Sequence, residues 1–120
     1  MLRFIFYGIL TFATANSQAY YVGDSLVQEG VHAFYNYDFD NSVEILDQAK
    51  KKYPDHPGVH LIWAASRWVR SQANDPIEET YRVLEADLRE IKPIYEELVL
   101  KYPNDPNYKL YHGSSVGLSA

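Results

Sequence analysis

His56 and His60 stand four residues apart, with Asp55 beside them. On one helical face that spacing can present two imidazoles to a metal ion. His56, however, falls at a proline corner, no Glu completes a His-Glu-x-x-His pattern, and no third ligand is in view. The pair therefore reads as a capping histidine and a surface histidine. Glu78-Glu79, Glu85/Asp87 and Glu96-Glu97 have the residue types for acid–base work. They lie off the apolar stripe of their segment, which places them on a solvated face. Ser114 and Ser115 occur in Gly-Ser-Ser-Val-Gly, which does not follow a strand and so lacks the geometry of a nucleophile elbow. There is no glycine-rich phosphate loop. There is no cysteine, which removes thiolate metal sites, a cysteine nucleophile and disulfide stapling. The expectation is a chain with no catalytic residue, no cofactor and no metal, and not an enzyme.

The elements that must position these residues are helical. Strand signals are missing: no sustained alternation and no Asn-Gly or Asp-Gly hairpin occurs. Asp24 is placed to cap a helix running to about Tyr37. Asn41-Ser42-Val43-Glu44 has the form of a capping box, and the helix after it should bury Val43, Leu46, Ala49 and Tyr53 before stopping at Pro54. Pro57 suits a first helical turn. The segment from Pro57 to Gln72 is apolar nearly all round, as a central helix is. Asp75-Pro76-Ile77-Glu78 reads as a second capping box. The stripe Ile77, Tyr81, Leu84, Leu88, Ile91, Tyr95, Leu98, Tyr102 then alternates steps of four and three, which marks one long helical face. Pro93 inside it should bend that helix. A last helix starts at Asp105-Pro106. The fold class is all-α.

The chain has 120 residues, 47% of them hydrophobic and 22% charged, enough for one packed domain. Its formal charge of −5 argues against a nucleic-acid binder, which needs a basic surface. Arg3, the apolar run Phe4 to Ala13 and the small-residue sites Ala13-Thr14-Ala15 and Ser17-Gln18-Ala19 read as a signal peptide over 1–19. Cleavage is expected after Ala19, with Ala15 second. The apolar run is too short for a membrane span, which needs about twenty residues. Residues 20–120 are then an exported domain, periplasmic or secreted, with no stable membrane span.

Lys52-Tyr53-Pro54-Asp55-His56-Pro57 recurs as Lys101-Tyr102-Pro103-Asn104-Asp105-Pro106, an offset of 49 residues. Leu61 then matches Leu110, Ala64 matches Gly113 and Ser66 matches Ser115. Gly30, Phe39, Ser42, Ala49 and Pro54 stand at intervals of nine, three, seven and five, and Ala64 falls 34 residues after Gly30. In these residues the chain resembles the tetratricopeptide repeat family, whose unit is a 34-residue pair of antiparallel helices. The aromatic usual early in the first helix is displaced: Ala33 stands there and Phe34 follows. The second unit is longer than the family's by fifteen residues, placed in the helix from Pro76 to Tyr102.

The resemblance implies an α-solenoid of about two and a half units, with Gly30, Phe39, Ser42, Ala49, Pro54, Ala64, Pro103 and Gly113 at its packing positions. Solenoid units need neighbours, so Tyr108, Leu110, Tyr111, Val116 and Leu118 are expected to lack a partner helix. An N-terminal fragment would explain this, as would self-association through the last helix or its folding onto the long stripe. The family's concave face would carry Phe34, Tyr35, Leu61, Ala65 and Trp68, with Arg67 and Arg70 able to hold a partner's carboxylate at the rim. The expected function is a scaffold that binds a protein or peptide in that groove. The alternative is a non-binding module that supports further repeats or a downstream domain.

Overall fold

The computed structural model of the chain describes residues 21–119. The expected signal peptide lies outside the described residues. Within them the protein is all-helical: α1 (Asp24–Tyr35), α2 (Phe39–Lys52), α3 (Val59–Asn74), α4 (Ile77–Lys101) and α5 (Pro106–Ser119). The loops are short, so each helix turns back onto the one before it. α1 packs on α2, α2 on α3, α3 on α4 and α4 on α5, and α1 also touches α3. No helix among the described residues is long and apolar enough to cross a membrane.

Small residues set the closeness of α1 and α2. Gly30 is buried, and a Cβ there would lie 2.6 Å from Leu46 Cγ. The Ser42 hydroxyl donates to the Gly30 carbonyl at 2.8 Å, which ties the two helices at the same crossing. Ala49 and Ala64 are fully buried farther along. Gly113 behaves differently: it is exposed, with nothing within 4 Å of a Cβ built on it. The close contact that its match to Ala64 implies is not made.

The core runs through α4. Leu84, Leu88, Ile91, Tyr95 and Leu98 are buried, as their three- and four-residue spacing requires. The stripe is not covered to its start, since Ile77 and Tyr81 are exposed. Helix lengths explain this. α4 has 25 residues and α5 has 14, so at 1.5 Å per residue about 16 Å of α4 extends past its neighbour.

The helix starts differ from those the capping motifs indicate. α2 begins at Phe39, two residues before Asn41, and α4 begins after Pro76; neither N-cap residue makes a side-chain cap hydrogen bond. Ser42 is instead drawn into the α1 contact, and the Pro76 carbonyl accepts from Glu79 and Thr80. Asp24 lies within α1 rather than before it, and its carboxylate accepts from the Tyr21 amide at 2.9 Å. α1 ends in a reversed turn. The Asp38 and Tyr37 amides donate to the Ala33 and Phe34 carbonyls, and Tyr37 takes a left-handed φ of 62°.

Candidate functional site

The corner Pro54-Asp55-His56-Pro57, between α2 and α3, is where four helices are tied together. The Tyr95 hydroxyl on α4 donates to the Pro57 carbonyl at 2.7 Å and accepts from the Leu61 amide at 3.0 Å. The Tyr108 hydroxyl on α5 donates to the Asp55 carbonyl at 2.6 Å. The Asp55 carboxylate accepts from Lys101 and from the Tyr102 hydroxyl, each at 2.6 Å, and Tyr102 stacks on Tyr108. The Lys101 bond, then the Tyr102 bond, hold the Asp55 carboxyl below its ordinary range. On the α1 side, Gly58 donates its amide to His56 Nδ1 at 3.1 Å, so His56 Nε2 carries the proton that it donates to Asp24.

Neither histidine is at the surface: His56 is buried and His60 is 2% exposed. His60 Nε2 donates to the Pro54 carbonyl at 2.6 Å, and burial pushes its imidazole below the ordinary value of 6.5. The two rings face different partners and do not converge. Among the described residues no group of three or more His, Asp or Glu is placed to hold a metal ion. Tyr21 completes the corner. Its hydroxyl donates to Asp105 and accepts from Asn107, each at 2.7 Å, and burial, with the Asp105 carboxylate, pushes it up to about 12. Burial raises Tyr95 and Tyr108 as well. These phenols stay protonated and act as hydrogen-bonding struts between helices.

Arg67 and Arg70 already have carboxylates within the chain. Arg67 Nε lies 2.6 Å from Asp87 of α4, and its guanidinium sits 5.0 Å from the Trp63 ring centroid. Asp87, expected on the solvated face, is 6% exposed. Arg70 approaches Asp40 at 3.8 Å. Phe34, Leu61, Ala65 and Trp68 are half-buried and Tyr35 is exposed. Leu61 and Trp68 pack against the core cluster, which takes part of the expected groove into the interior. Phe39 is half-buried and meets Phe34 edge-on, while Pro54 and Pro103 are exposed at their corners.

An apolar concavity lies elsewhere, between the first half of α4 and the end of α5. Tyr81, Leu84 and Leu88 form one wall, Ser115, Val116 and Leu118 the other, and Glu85, Arg89 and Lys92 stand at the rim of a trough of about 520 Å³. Tyr81 and Val116 are at least half exposed, and Leu118 is 42% exposed. The residues of both walls are conspicuous in the sequence as an apolar stripe and an unpartnered last helix. That the two meet in a trough follows only from the unequal helix lengths.

Neither a protein-family model, nor a curated protein, nor a solved structure matches this chain.

Proposed function

We propose that this protein is an exported, tetratricopeptide-like helical module that binds a partner protein, and that it docks an amphipathic helix of that partner in the trough between α4 and α5. The repeated Lys-Tyr-Pro corner and the succession of helix pairs support the repeat arrangement. Arg3 and the apolar run after it support export, and mass spectrometry of secreted protein would read the new N-terminus at Tyr20 or Asn16.

The observation that carries the docking site is the exposure of Tyr81, Val116 and Leu118 around one concavity. Apolar side chains gathered in this way lose water when a matching helix lies over them. The rim has both signs of charge, Glu85 against Arg89 and Lys92, which suits the polar flanks of such a helix. The Tyr102–Tyr108 stack and the Tyr108 bond to the Asp55 carbonyl fix the start of α5 beside the end of α4.

Panning a displayed library of helical peptides against the protein tests the site. Enriched peptides should carry apolar residues at spacings of three and four, and Tyr81→Glu or Leu118→Glu should weaken them at least about tenfold without lowering Tm. Trp68→Ala should leave the affinity unchanged. No enrichment, or undiminished binding to Tyr81→Glu, would reject the trough.

A further inference from the structure

Tyr37 occupies a position that its side chain does not favour. The paired bonds from the Asp38 and Tyr37 amides to the Ala33 and Phe34 carbonyls close the end of α1, and such an ending puts one residue in the left-handed region. Glycine or asparagine ordinarily fills it, because a Cβ is crowded there. Here it is Tyr37, at φ 62°. Packing does not explain the choice, since Tyr37 is 82% exposed.

The ring is held on a base of other aromatics. Tyr37 meets Phe39 edge-on, Phe39 meets Phe34, and Phe34 meets Tyr35, which is itself 57% exposed. Along the chain the ring's neighbours have one sign of charge. From Asp24 to Ala49 the chain carries six acidic side chains and no Lys or Arg. Asp38 and Asp40 follow Tyr37 in sequence, on either side of Phe39, and the Asp40 side chain is 90% exposed. The nearest cation to Asp40 with a defined contact is Arg70, at 3.8 Å.

We propose that this turn is a recognition site for a basic peptide segment. An arginine or lysine side chain lies over the Tyr37 face, and Asp38 and Asp40 take up its charge. An aromatic face attracts a cation through its quadrupole, and adjacent carboxylates supply the charge-assisted hydrogen bonds. The protein's net charge of −5 draws such a segment toward it. The site is separate from the trough, so each can fail without the other.

Calorimetric titration with acetylated hexa-arginine tests the site, with hexaglutamate and maltohexaose as controls. Tyr37→Gly leaves the net charge unchanged, so diffuse attraction survives it while stacking does not. We expect it to bind hexa-arginine about three- to tenfold more weakly and to melt about 2–5 °C higher, because the strain is relieved. Tyr37→Phe should retain most of the affinity, Asp38→Asn/Asp40→Asn should lose affinity and salt dependence together, and Tyr81→Glu should bind normally. Equal affinity in Tyr37→Gly would overturn the site, leaving charge alone as the cause. A fall in both affinity and Tm in that variant would make Tyr37 structural and also overturn it. Tyr37-dependent binding of hexaglutamate or maltohexaose would overturn the ligand class.

Discussion

The hydroxyl of Tyr95, on α4, accepts the amide proton of Leu61 in the first turn of α3, 3.0 Å away. A helix start leaves such amides without internal partners, and Gly58 at the N-cap has no side chain to serve them. α4 therefore caps α3 from outside, and the same hydroxyl donates to the Pro57 carbonyl. Tyr95→Phe keeps the ring and removes both bonds, leaving a buried carbonyl and amide unpaired. It should lower stability by about 1–3 kcal/mol, read as a shift of the urea midpoint with unchanged slope. An unshifted midpoint would mean that the corner does not depend on this hydroxyl.

Two helical glycines should respond in opposite directions. Gly30→Ala puts a methyl group 2.6 Å from Leu46 Cγ, in a side chain that is fully buried. Overpacking should cost about 1–3 kcal/mol, more than the gain in helix propensity. Gly113→Ala meets nothing within 4 Å in the middle of α5. It should gain about 0.5–1 kcal/mol from propensity alone. Thermal melts of the two variants check this, and a stabilised Gly30→Ala would contradict the close approach of α1 and α2.

Burial holds the His60 imidazole below its ordinary value of 6.5. The unfolded chain then binds a proton that the folded protein refuses, so stability is full above 6.5 and falls as the pH drops below it. Asp55 acts at lower pH: its depressed carboxyl contributes stability that is present above its ordinary value of 3.8 and is lost as the pH falls through its folded value. Urea unfolding of wild type from about pH 7 to about pH 5 should show declining stability. His60→Gln, which cannot titrate, should give a flatter line over that range. Parallel lines for the two proteins would remove His60 as the cause.

Arg67 leaves Asp87 paired inside the α3–α4 contact. Arg67→Ala would strand a carboxylate that is 6% exposed, at a cost of about 2–4 kcal/mol. Arg67→Met/Asp87→Leu removes both charges and should recover at least half of that loss. A double-mutant cycle by urea denaturation reads the coupling. An uncoupled pair would release Arg67 for the rim role that the resemblance suggested.

The helices and most of the core were legible because they depend on local signals. Proline corners, three- and four-residue spacing, and small residues at Gly30, Ser42, Ala49 and Ala64 all act within a few turns of chain. The corner network was not legible. Tyr95 reaches Pro57 across 38 positions and Tyr108 reaches Asp55 across 53, and no local pattern encodes which tyrosine meets which carbonyl. Apolar spacing alone places Asp87 on the solvated face of its helix, because the arginine of α3 that neutralises it is no part of that local pattern. The capping motifs failed for the converse reason. Tertiary contacts of Ser42, and a helix start two residues before Asn41, outweighed a local hydrogen bond of about 1 kcal/mol. The trough needed both the stripe and the relative lengths of α4 and α5.

Photo-crosslinking in cells that produce the protein tests the docking trough most directly. A benzoylphenylalanine at position 81 or at position 118 faces the trough from opposite walls, and one at position 48 lies on the exposed side of α2. Docking of a partner helix predicts one discrete protein adduct, the same from positions 81 and 118, absent from 48 and suppressed by Val116→Glu, at a trough residue that is 50% exposed. Adducts that differ between 81 and 118, or a common adduct that also forms from 48, would contradict it.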